Sequence, residues 1–152
     1  MAYAPRGRYF EEFKVGQVFE SQARTINPAD VSNFAGVTGD FNPLHTDEEF
    51  GKKTPFGTRV AHGLLTLGIS GGQQNQLGLF EGTALALLGF DKLRFTAPVR
   101  FGDTIHTELA VKETKESSKP DRGVVVFDTV VKNQKGETVL QFEQSVLMRR
   151  RT

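Results

Sequence analysis

The second half of the chain constrains the fold most, because four strand-like segments follow one another there with only turn residues between them. Thr83 to Thr96 lies between Gly82 and Ala97-Pro98, and Thr104 to Thr114 begins after Gly102-Asp103. Gly123 to Lys132 is dense in β-branched residues, which suit a pleated, half-buried surface. Gln134-Lys-Gly136 is a hairpin turn signal leading into Thr138 to Met148, where apolar and polar residues alternate in part. Four such segments predict a meander of antiparallel strands, and a sheet with one apolar face needs a second layer to cover it.

The cover precedes the strands. Val60 to Gly78 predicts a long helix whose first half, with Leu64, Leu65, Leu67 and Ile69, is apolar on most sides, as in a buried helix. Gly68, Gly71 and Gly72 weaken its propensity and suit close packing against a sheet or a second subunit. Asn27 as N-cap, Pro28 at the first helical position and Gly39 at the far end frame a short helix over Pro28 to Thr38. Gln17 to Ile26 predicts a first strand. From Asp40 to Arg59 Pro43, Gly51, Pro55 and Gly57 break up the pattern, with Thr46 capping a turn that runs to Phe50. An irregular stretch of that length in a compact domain is usually either a functional loop or a misassigned element. The order predicts an α+β domain with helices on one face of the sheet.

The 152 residues predict a single domain spanning 1–152, large enough to bury a core without covalent staples. The absence of cysteine excludes disulfides, thiolate metal sites and a cysteine nucleophile. Nineteen Lys and Arg against 18 Asp and Glu leave no field that would favour nucleic acid. The basic run Arg149 to Arg151 reads as a solvated tail. No apolar stretch approaches the roughly 18 to 20 residues of a membrane span, and no apolar signal region opens the chain, so the expected location is cytoplasmic. The 13 Phe and no Trp suit a core or an apolar pocket.

Two clusters carry chemistry. In Thr38-Gly-Asp40-Phe-Asn42-Pro-Leu-His45 an acid, an amide and an imidazole fall within six residues, where a helix gives way to a loop. Five residues is not a same-face spacing on a helix, but a break at Asn42-Pro43 lets Asp40 and His45 face one point and hold a water between them. In Ala61-His62-Gly63-Leu64-Leu65, Gly63 opens the buried helix, and its N–H and the helix dipole favour a developing oxyanion. For His62 a core or loop role is expected.

Gly39-Asp40-Phe41-Asn42-Pro43-Leu44-His45, Thr54-Pro55-Phe56-Gly57 and Val60-Ala61-His62-Gly63 together resemble the MaoC-like dehydratases and (R)-specific enoyl-CoA hydratases. Tyr9 to Phe19 and Phe95 to Thr104 fit the same pattern, and the likeness runs from about residue 8 to 148. The resemblance implies a hotdog fold, a long central helix wrapped by a curved antiparallel sheet, with Asp40 to Arg59 as an overhanging segment. It implies an acyl-CoA thioester as substrate, no metal or redox cofactor (CoA is part of the substrate) and pairing of two copies edge to edge. Asp40 and His45 become the acid–base dyad and Gly63 the oxyanion donor. Asn42 is expected to orient the loop or the dyad. Phe41, Leu44, Phe56 and Leu64, with Phe34 and Leu65, are candidates for the acyl slot. Arg94, with Arg59, Lys92 and Arg100, is a candidate for the CoA phosphates. Rival readings are a dehydratase acting on acyl-carrier protein, a thioesterase, and a non-catalytic acyl-CoA binder. Fold alone does not separate these.

Overall fold

A computed structural model describes residues 3–151; Met1, Ala2 and Thr152 of the predicted 1–152 unit lie outside the described residues. After one 3-10 turn (Phe10–Glu12) the elements run β1 (Val18–Glu20), β2 (Arg24–Thr25), α1 (Pro28–Thr38), α2 (Pro43–Thr46), α3 (Glu48–Gly51) and α4 (Gly63–Gln76). Then follow β3 (Ala84–Phe95), β4 (Thr104–Glu116), β5 (Arg122–Lys132) and β6 (Thr138–Arg149). All strand pairs are antiparallel, in the order β1-β4-β5-β6-β3, with β2 also on β4. The sheet curves around α4, which is the hotdog arrangement.

Two local expectations change. The first strand is split, and only β4, β5 and β6 meander. β3 crosses to the far edge and pairs with β6. The split lies at Ser21 to Ala23 and has a cause in the core. The Gln22 carbonyl turns inward to accept from Gln73 Nε2 (3.1 Å), and Thr107 N donates to Ser21 Oγ (2.9 Å) instead of to a strand carbonyl.

Alternation along β4 buries Ile105, Thr107, Leu109 and Val111, and along β6 Phe142, Gln144, Val146 and Met148. These faces meet α4 in two apolar clusters. One gathers Ile26, Val31, Leu65, Ile69, Ile105 and Leu140 near the start of α4. The other gathers Phe10, Phe13, Leu79, Leu109, Phe127 and Met148 beyond its end. Buried polar residues lie between them. Gln73 Nε2 also donates to the Ile105 carbonyl (2.9 Å), and the Thr107 hydroxyl donates to Gln73 Oε1 (2.8 Å). Gln144 Nε2 donates to Gln74 Oε1 (2.5 Å). The polar second half of α4 therefore buries Ser70, Gln73 and Gln74, as the first half buries Leu65, Thr66 and Ile69. Gly68, Gly71 and Gly72 have no atom within 4 Å of where a Cβ would stand, so packing against the sheet does not require glycine there.

The irregular segment contains two helical turns, α2 and α3, followed by non-helical turns from Lys52 on. Asp47, rather than Thr46, caps the second by accepting from Phe50 N (3.1 Å). The Glu48 carboxylate accepts from the Thr58 hydroxyl (2.8 Å) and Arg59 Nε (3.0 Å), closing the segment on itself. The C-terminal basic run is tied down at its second and third residues. Arg150 pairs with Glu11 (2.9 Å) and Arg151 with Glu12 (3.1 Å).

Two outcomes follow. Gln73→Leu, similar in volume, removes three buried hydrogen bonds, those to the Ile105 and Gln22 carbonyls and to the Thr107 hydroxyl, although the Gln22 carbonyl keeps the Ser21 hydroxyl (3.0 Å) and Thr107 keeps the Ser70 hydroxyl (2.9 Å). A net hydrogen bond contributes about 0.5–1.5 kcal/mol, so urea denaturation is expected to show a loss of about 2 kcal/mol. The Glu48 carboxyl is held below the ordinary carboxylate range, first by the Thr58 hydroxyl and then by Arg59. A group whose pKa is depressed on folding contributes stability above its unfolded value and loses it as pH falls through the folded one. Glu48→Gln is expected to melt lower than wild type at pH 7, with the gap closing as the pH drops below the carboxylate range.

Candidate active site

The site forms where α1 ends and α4 begins. Gly39 ends α1 at φ 79°, a left-handed conformation that glycine adopts without penalty, and its N–H returns to Ala35 O (2.8 Å). Asp40 therefore leaves the helix in a fixed direction. Its N–H donates to Thr38 Oγ1 (3.2 Å), and its Oδ1 accepts from Asn42 N (3.3 Å). Asn42 Oδ1 in turn accepts from Leu44 N (3.0 Å) and caps α2, with Pro43 at its first position. That turn carries His45 back toward Asp40.

His45 Nδ1 lies 2.7 Å from Val60 O. A carbonyl oxygen only accepts, so Nδ1 holds the proton and the neutral ring keeps a lone pair on Nε2. The Val60 carbonyl is itself positioned, because Ala61 N donates to Val99 O (2.8 Å) and Val60 bridges to Arg100. His62 is the N-cap residue of α4 and is buried, with its ring stacked on His45 at 3.8 Å between centroids and 30° between planes.

Asp40, His45 and His62 each offer a ligand atom, all within 4.8 Å of one another. Their arrangement does not suit a metal ion. His45 Nδ1 and His62 Nε2 are engaged by carbonyls, and lone pairs lie in the ring planes, so nearly parallel stacked rings aim side by side rather than at a common point.

Beside His45 opens an apolar cleft of about 460 Å³ lined by Leu44, His45, Phe56, Gly63, Leu64, Phe95, Ala97, Pro98 and Val139; Asp40, half exposed, is not among its lining residues. Of the residues predicted for the slot, Leu44, Phe56 and Leu64 line it. Phe41 is exposed and outside it, Phe34 packs on His62 (4.9 Å), and Leu65 belongs to the core. Phe95, Ala97 and Pro98 were missed as lining residues. They stand about 30 residues after Gly63 in sequence, and only the crossing of β3 brings them near. Gly63 carries a packing constraint besides any ligand approach. A Cβ there would lie 2.7 Å from Phe95 Cε1, so glycine lets the Phe95 ring close over the helix start. As first residue of α4, Gly63 has an N–H with no partner inside the helix.

Among the predicted cations, Arg59 pairs with Glu48 (3.0 Å) and lies 4.6 Å over Phe101, and Lys92 pairs with Glu143 (2.5 Å). Among the described residues Arg94 and Arg100 touch no carboxylate through their guanidinium groups. Arg94 donates to Leu93 O (2.8 Å), and Arg100 to Phe56 O (3.4 Å) at the cleft.

The model of the MaoC like domain matches residues 11–134. An (R)-specific enoyl-CoA hydratase of Rhodospirillum rubrum is 35% identical over 144 residues, covering 92% of this chain and 91% of that protein. A 3-hydroxybutyryl-CoA dehydratase of Methylorubrum extorquens is 41% identical over 109 residues; the match takes in 69% of this chain and 64% of that protein's length. A solved structure from Archaeoglobus fulgius, described as a monoamine oxidase regulatory protein, superposes with a TM-score of 0.89 at 40% identity, covering 96% of this chain and 97% of the other. No described helix is long and apolar enough to cross a membrane. The chain belongs to the MaoC-like dehydratase family.

Proposed function

We propose that the protein catalyses the reversible hydration of a trans-2-enoyl-CoA to the (R)-3-hydroxyacyl-CoA. The observation that carries this is that Asp40 and His45 bring a carboxylate oxygen and a ring nitrogen within 4.8 Å of each other, with His45 lining an apolar cleft that also contains Gly63. Neither relative's activity transfers by name alone. The acid–base geometry is what makes hydration the best reading.

In the forward direction one water sits between the Asp40 carboxylate and His45 Nε2. His45 takes a proton from it as the oxygen bonds to C3, while Asp40 accepts the water's other hydrogen bond and fixes its direction. Electrons of the double bond move onto the thioester oxygen, where the Gly63 N–H and the start of α4 stabilise the charge. Losing one such donor costs other enzymes about 2.7–4 kcal/mol. The enolate collapses, and C2 takes the proton back from the His45 imidazolium. Both groups reach the double bond from one side, so the addition is syn. Asn42 holds the turn that joins the two residues rather than touching the acyl chain. No cofactor is needed beyond the CoA that the substrate carries. Arg100, beside Phe56 at the cleft, is the cation best placed for its phosphates.

Asp40→Asn and His45→Gln are each expected to lower kcat on crotonyl-CoA by at least about 10²-fold, the typical contribution of a positioned acid–base group. Enoyl absorbance and free thiol are followed together. Near-native turnover in both variants removes the dyad, and thiol release in the wild type makes the protein a thioesterase. Binding without either signal makes it a non-catalytic binder of acyl-CoA, and activity restored only on a carrier-protein thioester moves the substrate to that class.

The proposed assembly is a homodimer through β3. That strand is an edge with unpaired backbone groups, and Leu85, Leu87, Leu88 and Phe90 along it are exposed. A long apolar edge is a template for another strand, and a second β3 satisfies it by two-fold pairing. Leu88→Lys is expected to give a monomer in sedimentation equilibrium; an unchanged mass would place any contact elsewhere.

A further inference from the structure

His62 is 2% exposed, yet only one of its ring nitrogens has a hydrogen-bond partner. Nε2 lies 2.9 Å from the Asp40 carbonyl oxygen, so it carries the proton, and Nδ1 is left as a buried acceptor without a protein partner among the described residues. A buried unsatisfied nitrogen costs stability, and an apolar ring of similar size would avoid that cost. Filling space does not account for the imidazole.

Its contacts do. The Nε2–H holds the peptide carbonyl of Asp40, whose own side chain is 52% exposed and takes only the Asn42 N–H among the described residues. The ring face is the floor on which His45 lies at 3.8 Å, and Phe34 supports it at 4.9 Å between centroids. Its main chain leads directly into Gly63 and α4. One side chain thus spans the end of α1, the turn α2 and the start of α4.

We infer that His62 is a positioning residue that sets Asp40 and His45 against each other and against the Gly63 N–H, without touching substrate. Its catalytic consequence rests on the hydration reading; its hydrogen bond and tautomer do not. His62→Leu removes both donor and ring. His62→Gln loses the ring but keeps an N–H donor at a similar reach. Misplacement by about 1 Å costs on the order of 10²-fold in rate, so His62→Leu is expected to lose about that much kcat on crotonyl-CoA with KM changed less than about threefold. His62→Gln is expected to recover about tenfold of the loss, with both variants retaining the wild-type circular dichroism. A kcat within about threefold of wild type in His62→Leu overturns the inference, as does an equal loss in the two folded variants. A separate readout needs no turnover. In nitrogen-15 spectra of the wild-type histidines, His62 is expected as the Nε2–H tautomer and His45 as the Nδ1–H tautomer, with the His45 signals shifted or broadened in His62→Gln. A His62 proton on Nδ1, or unchanged His45 signals in that variant, overturns the inference even if the wild type hydrates no enoyl-CoA. If the wild type is inactive while these tautomers are found, the hydration reading fails and the positioning role stands.

Discussion

The burial of one face of α4 from end to end is the constraint on which the rest of the structure depends. A buried helix needs a partner for every inward polar group, because each one left unmade costs a sizeable fraction of a domain's net stability. Ser70, Gln73 and Gln74 are all buried and are answered by Thr107 and Ile105 of β4, Gln144 of β6, and Gln22 in the break between β1 and β2. Those directional bonds set how far the helix enters the sheet and how it is rotated. Apolar packing alone is less selective about both. The position of Gly63, at the start of the same helix, follows from them.

Around that fixed point the site is made from chain breaks. The left-handed Gly39, the Asn42-Pro43 turn and the N-terminus of α4 are all places where the backbone changes direction and leaves groups free to act. Each break is held by short-range bonds, and the breaks are joined by two long-range contacts, His45 to Val60 O and His62 to Asp40 O. Preorganised dipoles and bases of this kind need little rearrangement when charge develops. The apolar cleft beside them comes from the same topology: β3 crosses to the edge next to β6 and carries Phe95 over Gly63. Lys92, at φ 52° and within a register shift of β3, lies three residues before Phe95.

Much of the fold was legible because its signals are local. Pro28 and Gly39 bracket α1 at the predicted positions, and β3, β5 and β6 fall within about two residues of their predicted limits. What failed depended on partners distant in sequence. Nothing around Gln22 shows that its carbonyl will meet Gln73, so the break in the first strand is invisible before the core forms. The polar run after Ile69 looks like a surface until Thr107 and Gln144 are placed beside it. Asp40 and His45 were legible as neighbours in a loop, whereas Phe95, Ala97 and Pro98 in the cleft required knowing which edge β3 occupies. The role of His62 was out of reach for the same reason, since only the stack on His45 and the bond to Asp40 O separate it from an ordinary core histidine.

The central claim is that one water, held on one face of the double bond by Asp40 and His45, supplies both the hydroxyl and the proton. Hydration of crotonyl-CoA in deuterium oxide, with the relative configuration at C2 and C3 read by proton NMR, tests this most directly. The account predicts an (R)-3-hydroxy product with deuterium at C2 on the same face as the hydroxyl. Deuterium on the opposite face, or an (S) product, would contradict it.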